Sequence, residues 1–343
     1  MVDMKAVHFG IIGCGMIANY HAKSIHETEG AVLVGVYDTV PAGAKAFGEK
    51  YNIPVFDTLE DILSSPDIDV LCLCTPSGLH TPHAILAVEH GKHVVVEKPM
   101  SLTLQEADIL IDAVDKHQAI VSVISQIRLA PAVVEIRRAL DEGAFGKLTM
   151  AELSMKYYRS AEYYASAGWR GTWAQDGGGA LMNQGIHGID VFRHLMGPVK
   201  SISAQVRTLI HDIEVEDSAV AAVEFSNGAL GVITGSTSSY PGCPRRIEIC
   251  GDQGSIVLEE DSILKWNLPI ACKLPVGKGA ENVPSSTPGA ISNEAHVQHF
   301  VNMVEAINYG TPLLNDVRGG RLPLEIILGI YESSKTGQTI FLD

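Results

Sequence analysis

The chain has 343 residues, of which 46% are hydrophobic and 19% are charged, and its formal net charge at pH 7 is −15. This length suits two domains with separate cores, and the composition excludes extensive disorder. The negative charge argues against a surface that binds nucleic acid or an anionic membrane, because both need clustered Lys and Arg.

The N-terminus leads directly into a predicted strand, without a basic-then-apolar signal segment. No apolar run approaches the roughly 18–20 residues of a membrane span. The six cysteines include no C-x-x-C pair, which favours reduced thiols. We therefore expect a cytoplasmic protein with no membrane or nucleic-acid partner.

The first 125 residues alternate between short Val/Ile/Leu-rich runs and segments with helical periodicity. Strands are predicted at residues 7–13, 31–38, 70–74, 93–97 and 119–125, and helices at 17–29, 41–51, 80–91 and 103–117. Nearly continuous apolar strands separated by helices are typical of a parallel sheet covered on both faces. We predict a doubly wound domain of the Rossmann type over residues 1–125.

A glycine-rich turn follows the first predicted strand and opens a helix. It reads Gly13-Cys14-Gly15-Met16-Ile17-Ala18, a G-x-G-x-x-A pattern, and Asp38 lies 20 residues beyond Ala18 at the end of the second strand. Gly13 permits a tight turn, and Gly15 lets the backbone approach a pyrophosphate at the helix N-terminus. Asp38 can accept both hydroxyls of an adenosine ribose and would repel a 2′-phosphate. The pattern therefore predicts dinucleotide binding, with NAD favoured over NADP.

Further polar residues follow two neighbouring strands of this sheet. Thr75 and Pro76 begin a loop that runs to His80, and Glu97-Lys98-Pro99 follows the next strand. Ligands of parallel sheets bind beyond the carboxyl ends of the strands. We therefore expect both segments to face the crevice of the glycine turn, with Lys98 near the nicotinamide.

The pattern changes at Gln126. A predicted helix at residues 132–142 is followed by longer strands at 147–158, 199–210, 218–225, 229–238 and 246–251, with helices at 180–196 and 321–337. The dipeptide Asn227-Gly228 predicts a hairpin. Residues 126–343 are thus predicted to form an α+β domain with a mostly antiparallel sheet. Two long loops, at residues 159–179 and 267–292, are predicted to be functional, mobile or both.

Four motifs together identify a family. They are the glycine turn, 75-TPSGLH-80, 97-EKP-99 and 177-GGGALMNQGIHGID-190. Over essentially the whole chain they resemble the glucose–fructose oxidoreductase/inositol dehydrogenase (Gfo/Idh/MocA) family. The resemblance implies a Rossmann domain followed by an α+β domain with a large open sheet. It also implies NAD(P)-dependent oxidation of a sugar or cyclitol hydroxyl, or the reverse reduction.

The resemblance also implies site residues. Lys98 would reach the reacting hydroxyl, and the pair Asn183 and His187 would face the nicotinamide. The predicted cofactor contacts are Gly13, Cys14, Gly15, Met16, Ile17, Asp38, Thr75, Pro76, His80, Glu97, Lys98 and Gln126. The predicted substrate contacts are Arg128, Trp169 and Arg170, for each of which a structural role is an equal alternative. His80 and His83 lack an evident third ligand nearby, so no metal is predicted.

The chemistry predicted for this site is hydride transfer with general-base catalysis. His187 takes the hydroxyl proton while Lys98 stabilises the developing alkoxide, and the opposite assignment, with Lys98 as base, stays open. Asn183 stands where many cyclitol dehydrogenases carry Asp, which argues against a borrowed proton relay and against myo-inositol. The alternatives are an NAD-dependent glycosidase that uses transient oxidation and a non-catalytic NAD- or sugar-sensing protein.

Oligomerisation is predicted from the second half of the chain. An open sheet with one uncovered face exposes a large apolar area, and alternating stretches such as 218-SAVAAVEF-225 fit that arrangement. We expect a homodimer or a homotetramer built from such dimers.

Overall fold

The structure is a computed structural model that describes residues 4–277 and 293–342. The strands are β1 (Val7–Ile12), β2 (Ala31–Tyr37), β3 (Val70–Leu73), β4 (His93–Val96), β5 (Val121–Val123), β6 (Leu148–Lys156), β7 (Val199–Arg207), β8 (Ser218–Phe225), β9 (Leu230–Ser236), β10 (Arg246–Gly251), β11 (Gly254–Glu259), β12 (Ser262–Asn267) and β13 (Ile340–Phe341).

The α-helices are α1 (Met16–Glu27), α2 (Pro41–Tyr51), α3 (Leu59–Ser64), α4 (His80–Glu89), α5 (Leu104–His117), α6 (Pro131–Asp141), α7 (Ala161–Ala165), α8 (Ile186–Met196), α9 (Asn293–Tyr309) and α10 (Val317–Thr336). Short 3-10 turns occur at Ser77–Leu79 and Gln126–Leu129, and Ala180–Gly185 is a π-helical segment directly before α8. No helix among the described residues is long and apolar enough to cross a membrane.

The chain divides into two compact units. Of the described residues, 4–126 and 293–321 form the first unit, and 127–277 and 322–342 form the second. The sequence prediction put the division after residue 125, one residue away, but assigned all later residues to the second domain. The structure differs at 293–321, which returns to the first unit.

The first unit contains a five-stranded sheet of order β2-β1-β3-β4-β5, and all of its strand pairs are parallel. Strand β3 is buried at every position, as its unbroken apolar sequence predicts. The predicted Rossmann sheet is therefore confirmed. The carboxyl ends of β1, β3 and β4 lie side by side at one edge, where Gly13, Thr75 and Lys98 follow them.

Helix α9 completes the core of the first unit. Phe300, Met303 and Val304 are buried in the same cluster as the sheet, and the rings of Phe9 and Phe300 lie 5.6 Å apart. The His299 ring accepts a hydrogen bond from the Ser125 N–H at 3.1 Å. No helix was predicted over these residues, which were assigned to the second domain because they follow the whole second sheet in the chain.

The second unit contains an eight-stranded sheet of order β12-β11-β10-β6-β9-β8-β7-β13. Its pairs are antiparallel except for β6 with β9, so the predicted mostly antiparallel sheet is confirmed. The predicted hairpin joins β8 to β9, where the Phe225 N–H donates to the Ala229 carbonyl and Gly228 has a φ of +84°. Strands β11 and β12 and the short helix α3 were not predicted.

Candidate active site

The glycine turn between β1 and α1 has the shape of a pyrophosphate-binding loop. Gly13 has a φ of +96°, and a Cβ there would lie 2.7 Å from the Cys74 carbonyl oxygen, so only glycine fits. A Cβ on Gly15 would meet no atom within 4 Å, which leaves open space above the turn. Gly15 begins α1 without a side-chain cap, so the first N–H groups of the helix can bind an anion. The turn therefore fits a dinucleotide.

The side chain of Asp38, which follows β2, is hydrogen-bonded to this turn. Its Oδ2 accepts from the Cys14 N–H at 2.6 Å, and its Oδ1 accepts from the Val40 N–H at 2.8 Å. Burial, together with the charge of Asp38, raises the pKa of the Cys14 thiol to about 12, so Cys14 stays protonated. The carboxylate is thus held where a ribose bound beside the turn would meet it. Met16 and Ile17 form the first turn of α1, and Met16 is exposed.

The loop after β3 carries Thr75 and Pro76 and is tied to the loop after β4 by His80. The Nδ1 of His80 lies 2.7 Å from the Pro99 carbonyl, and its Nε2 lies 2.9 Å from the Thr75 carbonyl. Burial lowers the pKa of His80, against the opposing effect of the two carbonyls. Because the ring is buried and both nitrogens are engaged, His80 holds the two loops together, and a cofactor contact through its ring is not favoured.

At the carboxyl edge of the first sheet, two buried polar atoms have no hydrogen-bond partner among the described residues. They are the Thr75 hydroxyl and the Gln126 side-chain carbonyl. Buried polar groups in proteins are normally satisfied, and exceptions often mark a place where a ligand or water binds. Both residues were predicted to contact the cofactor, and their unsatisfied atoms fit a polar ligand at this edge of the sheet.

The Glu97 side chain is buried and accepts a hydrogen bond from the backbone of the next residue, Lys98. Its Oε1 lies 2.9 Å from His21 Nε2 and 3.8 Å from His296 Nε2, and its Oε2 accepts from the Lys98 N–H at 3.2 Å. Burial alone would raise the pKa of Glu97, but the two histidines hold it well below its usual range. The ionised carboxylate therefore positions the Lys98 backbone, and Glu97 itself is too buried for the predicted cofactor contact.

The same three side chains form a potential metal-binding set. The ligand atoms of His21, Glu97 and His296 lie within 4.8 Å of one another. The contact between His21 and Glu97 has the length of an ordinary hydrogen bond, which describes the cluster without an ion. Sequence reasoning considered His80 and His83 for a metal and missed this cluster, because its members come from α1, the end of β4 and α9.

In the second unit, the helix that bears Asn183 and His187 begins directly after a run of three glycines. A Cβ on Gly179 would lie 1.8 Å from the Glu216 carbonyl oxygen. The Glu216 side chain accepts from the N–H groups of Gly179 at 2.9 Å and Leu181 at 2.8 Å, and from the Tyr331 hydroxyl at 3.0 Å. This carboxylate secures the start of the helix. The π-helical geometry over Ala180–Gly185 was not predicted.

The Asn183 side chain is hydrogen-bonded to a buried carboxylate. Its amide NH2 donates to Asp176 Oδ1 at 2.6 Å, and Asp176 Oδ2 accepts from the Gly171 N–H at 2.9 Å. Asp176 is 2% exposed. The negative charge that the sequence lacks at position 183 is therefore supplied seven residues earlier. His187, half-buried, follows on the next turn of the helix.

Arg128 forms an ion pair with Asp190 of the same helix. Its Nε donates to Asp190 Oδ2 at 2.7 Å, and its Nη2 donates to Asp190 Oδ1, which makes a bidentate ion pair. Burial raises the pKa of Asp190, and Arg128 opposes this rise. This pairing favours the structural alternative for Arg128 over the predicted substrate contact. Burial and neighbouring arginines lower the pKa of His194 to about 4, so His194 is neutral.

The loop that carries Trp169 and Arg170 contacts the helix through Tyr163. Arg170 Nη1 donates to the Tyr163 hydroxyl at 2.6 Å, and the Gln184 amide donates to the same hydroxyl at 2.9 Å. The Arg170 guanidinium carbon lies 4.3 Å from the Tyr163 ring centroid and 4.5 Å from the Trp169 centroid. Through the Tyr163 hydroxyl, the structure therefore links Arg170 of the loop to Gln184, the residue directly after Asn183.

Two family models match this chain. The model described as an oxidoreductase family with an NAD-binding Rossmann fold matches residues 7–125. The model described as the GFO/IDH/MocA C-terminal domain matches residues 133–257.

Relatives match along the whole chain. The WlbA dehydrogenase from Bordetella pertussis, solved in complex with NADH and UDP-GlcNAcA, is 30% identical with a TM-score of 0.90, covering 100% of this chain and 99% of the other. The WlbA dehydrogenase from Chromobacterium violaceum, solved in complex with the same two molecules, is 32% identical with a TM-score of 0.89, covering 100% and 97%. The scyllo-inositol 2-dehydrogenase (NAD(+)) of Bacillus subtilis (strain 168) is 28% identical over 351 residues, covering 98% and 96%.

Glu216 gives the site a testable pH dependence. Burial raises its pKa from 4.5 to about 7, against the hydrogen bonds that it accepts. At pH values between 4.5 and about 7, Glu216 is therefore protonated in the folded protein and ionised in the unfolded chain. The free energy of unfolding should fall as the pH rises through this window, by on the order of 3 kcal/mol in total from this one group.

The variant Glu216→Gln should lack this component. Urea unfolding of the wild type and of Glu216→Gln, from about pH 5 to about pH 8, should give stability curves that differ in slope. Glu332→Gln, at an exposed position of α10, is the matched control and should keep the wild-type slope. Parallel curves for wild type and Glu216→Gln would contradict the assignment.

Proposed function

Because the chain belongs to the Gfo/Idh/MocA family, we propose that it oxidises a nucleotide-linked acidic sugar with NAD, using His187 as the base and Lys98 as the oxygen-stabilising group. The enzyme is an oxidoreductase that transfers hydride between a hydroxyl-bearing carbon of a sugar, cyclitol or sugar derivative and a nicotinamide. The observation that carries the proposal is the edge of the first sheet, where the glycine turn, Thr75 and the anchored Lys98 follow adjacent strands.

The substrate class is proposed from the two WlbA structures, which are 30% and 32% identical to this chain. Both WlbA structures contain UDP-GlcNAcA, and both match this chain from end to end. The inositol dehydrogenase relative is less similar, and Asn183 replaces the Asp that many cyclitol enzymes carry. These points favour a nucleotide-linked acidic sugar over a free cyclitol.

When bound, NAD⁺ supplies the hydride acceptor. His187 takes the proton of the reacting hydroxyl, and its place one turn after Asn183 leaves both side chains on the partly exposed face of the helix. Asn183 is oriented by Asp176, so that its amide is set before the substrate arrives.

Lys98 stabilises the oxygen that loses its proton. Its ammonium donates a hydrogen bond that strengthens as negative charge develops on the substrate oxygen. The buried Glu97 fixes the Lys98 backbone through a hydrogen bond to its N–H. Lys98 thus begins from an ordered part of the fold, which reduces the entropy lost when it engages the substrate.

The first test is NADH formation by purified enzyme with NAD⁺ and a panel of nucleotide sugars, uronates, aldoses and cyclitols. We expect net NADH formation with a nucleotide-linked acidic sugar. Replacement of His187 by Ala should lower kcat by about 10²- to 10⁴-fold with NAD affinity unchanged, because only proton transfer is lost. Substrate consumption without net NADH would instead indicate the glycosidase, and full activity of His187→Ala would refute its role as base.

NAD rather than NADP is the proposed cofactor, because Asp38 would repel a 2′-phosphate. Asp38→Ser keeps a hydrogen-bond acceptor near the Cys14 N–H and removes the charge. It should lower the ratio of kcat/KM for NAD over NADP by about 100-fold. Asp57→Ser, an exposed position in the same unit, is the matched control. An unchanged ratio in Asp38→Ser would show that another residue selects the cofactor.

We also propose a homodimer or homotetramer that buries one face of the second sheet. Met150, Val220, Leu230 and Val232 are exposed on β6, β8 and β9. Met150 pairs with Leu230, and Val232 pairs with Ala222, so the exposed side chains form a continuous apolar patch. Such a patch is costly on a monomer, and a second copy supplies an identical surface to cover it.

Sedimentation at micromolar concentration tests this interface. The wild type should sediment as a dimer or a tetramer, and Val232→Glu should shift it toward the monomer by placing a charge in the patch. Val134→Glu, at an exposed position of α6, should leave the oligomer intact. A monomeric wild type would defeat the proposal.

A further inference from the structure

Arg170 is a cation without a counter-charge among the described residues. It takes part in none of the ion pairs that these residues form, and its Nε is buried without a hydrogen-bond partner. A partly buried charge that lacks an acidic partner lowers stability unless something else compensates it. Most other partly buried arginines of this unit are paired, such as Arg128 with Asp190 and Arg245 with Glu260.

The guanidinium of Arg170 is nevertheless held in one place. It lies against the rings of Tyr163 and Trp169, at 4.3 and 4.5 Å from their centroids, and it donates to the Tyr163 hydroxyl. Stacking on aromatic rings orients a guanidinium and leaves its N–H edge available for planar partners. The arrangement therefore presents a preorganised donor edge rather than a mobile surface charge.

A second cation lies on the same ring. The Arg159 guanidinium carbon is 5.4 Å from the Tyr163 centroid, and Arg159 Nη1 donates to the Tyr158 carbonyl. Two guanidinium groups therefore lie on one tyrosine ring. Guanidinium groups are favoured donors to carboxylates and phosphates.

This cationic cluster is connected to the helix of the proposed site. The Tyr163 hydroxyl accepts from Gln184, the residue directly after Asn183 and three before His187. We propose that Arg170 is the oxyanion-recognition residue of the substrate site and binds a carboxylate or phosphate of an acidic sugar. The inference rests on the proposed function, because it assigns the charge on the substrate that the site selects.

The experiment compares Arg170→Gln with the wild type on four substrates. UDP-GlcNAcA carries a carboxylate and a diphosphate, UDP-GlcNAc carries the diphosphate only, glucuronate carries the carboxylate only, and glucose carries neither. Arg170→Gln should lose about 10- to 100-fold in kcat/KM, mainly through KM, on the substrates whose anion Arg170 binds. Loss confined to the two carboxylate substrates identifies the carboxylate, and loss confined to the two UDP-sugars identifies the diphosphate.

Three controls separate recognition from folding. Arg170→Lys keeps the charge and should retain part of the activity, since Lys donates to an anion without the planar fork. Lys116→Gln, at an exposed position of α5, removes the same charge away from the cluster and should behave as wild type. Arg170→Gln should still unfold cooperatively and should keep the wild-type NAD affinity. No loss on any substrate, or an equal loss on all four including glucose, would overturn the proposal.

Failure of the proposed function gives a different result. If the wild type forms no NADH with any sugar, the dehydrogenase assignment fails, and the subsite is then judged by calorimetric binding of UDP-GlcNAcA and glucuronate. Binding that weakens about 10-fold or more in Arg170→Gln supports the subsite. Binding that is absent in the wild type, or equal in both proteins, overturns it.

Discussion

The buried carboxylate of Glu97 is the interaction on which the first unit depends. Three distant segments meet at it: α1 through His21, α9 through His296, and the end of β4 through the Lys98 N–H. An ionised group in a protein interior must be compensated by hydrogen bonds and opposite charge, so these partners cannot be removed one at a time without a cost of several kcal/mol. The chemistry proposed for Lys98 thus depends on a buried carboxylate that holds its backbone.

The second unit also depends on buried acidic side chains that accept hydrogen bonds. Asp176 and Glu216 are buried acidic side chains. Asp176 accepts from the Gly171 N–H and orients Asn183, and Glu216 accepts from the N–H groups of Gly179 and Leu181 at the start of the helix that bears His187. In both units, therefore, a half-buried residue proposed to act on the substrate is held by a buried acidic side chain behind it. This division allows the outer residues to vary with the substrate while the inner ones preserve the geometry.

Sequence reasoning predicted the features that depend on local patterns. The parallel sheet follows from continuous apolar strands, the glycine turn from its fingerprint, and the β8–β9 hairpin from Asn227-Gly228. It could not find contacts between residues that are far apart in the chain, such as His21 with His296, or the return of α9 to the first unit. Asp176 was missed because a lone acidic residue before glycines carries no periodic signal, although the sequence does place it directly before the turn that opens the helix.

The return of α9 makes the first unit discontinuous, and this has a consequence for folding during synthesis. The five strands of the first sheet leave the ribosome before α9, because the whole second sheet is translated between them. Until α9 emerges, the surface formed by Phe9 and Ile25 lacks the side chains of Phe300 and Met303 that bury it in the finished protein. The nascent Rossmann half therefore carries an exposed apolar face for nearly half of translation, which makes it a natural client for chaperones.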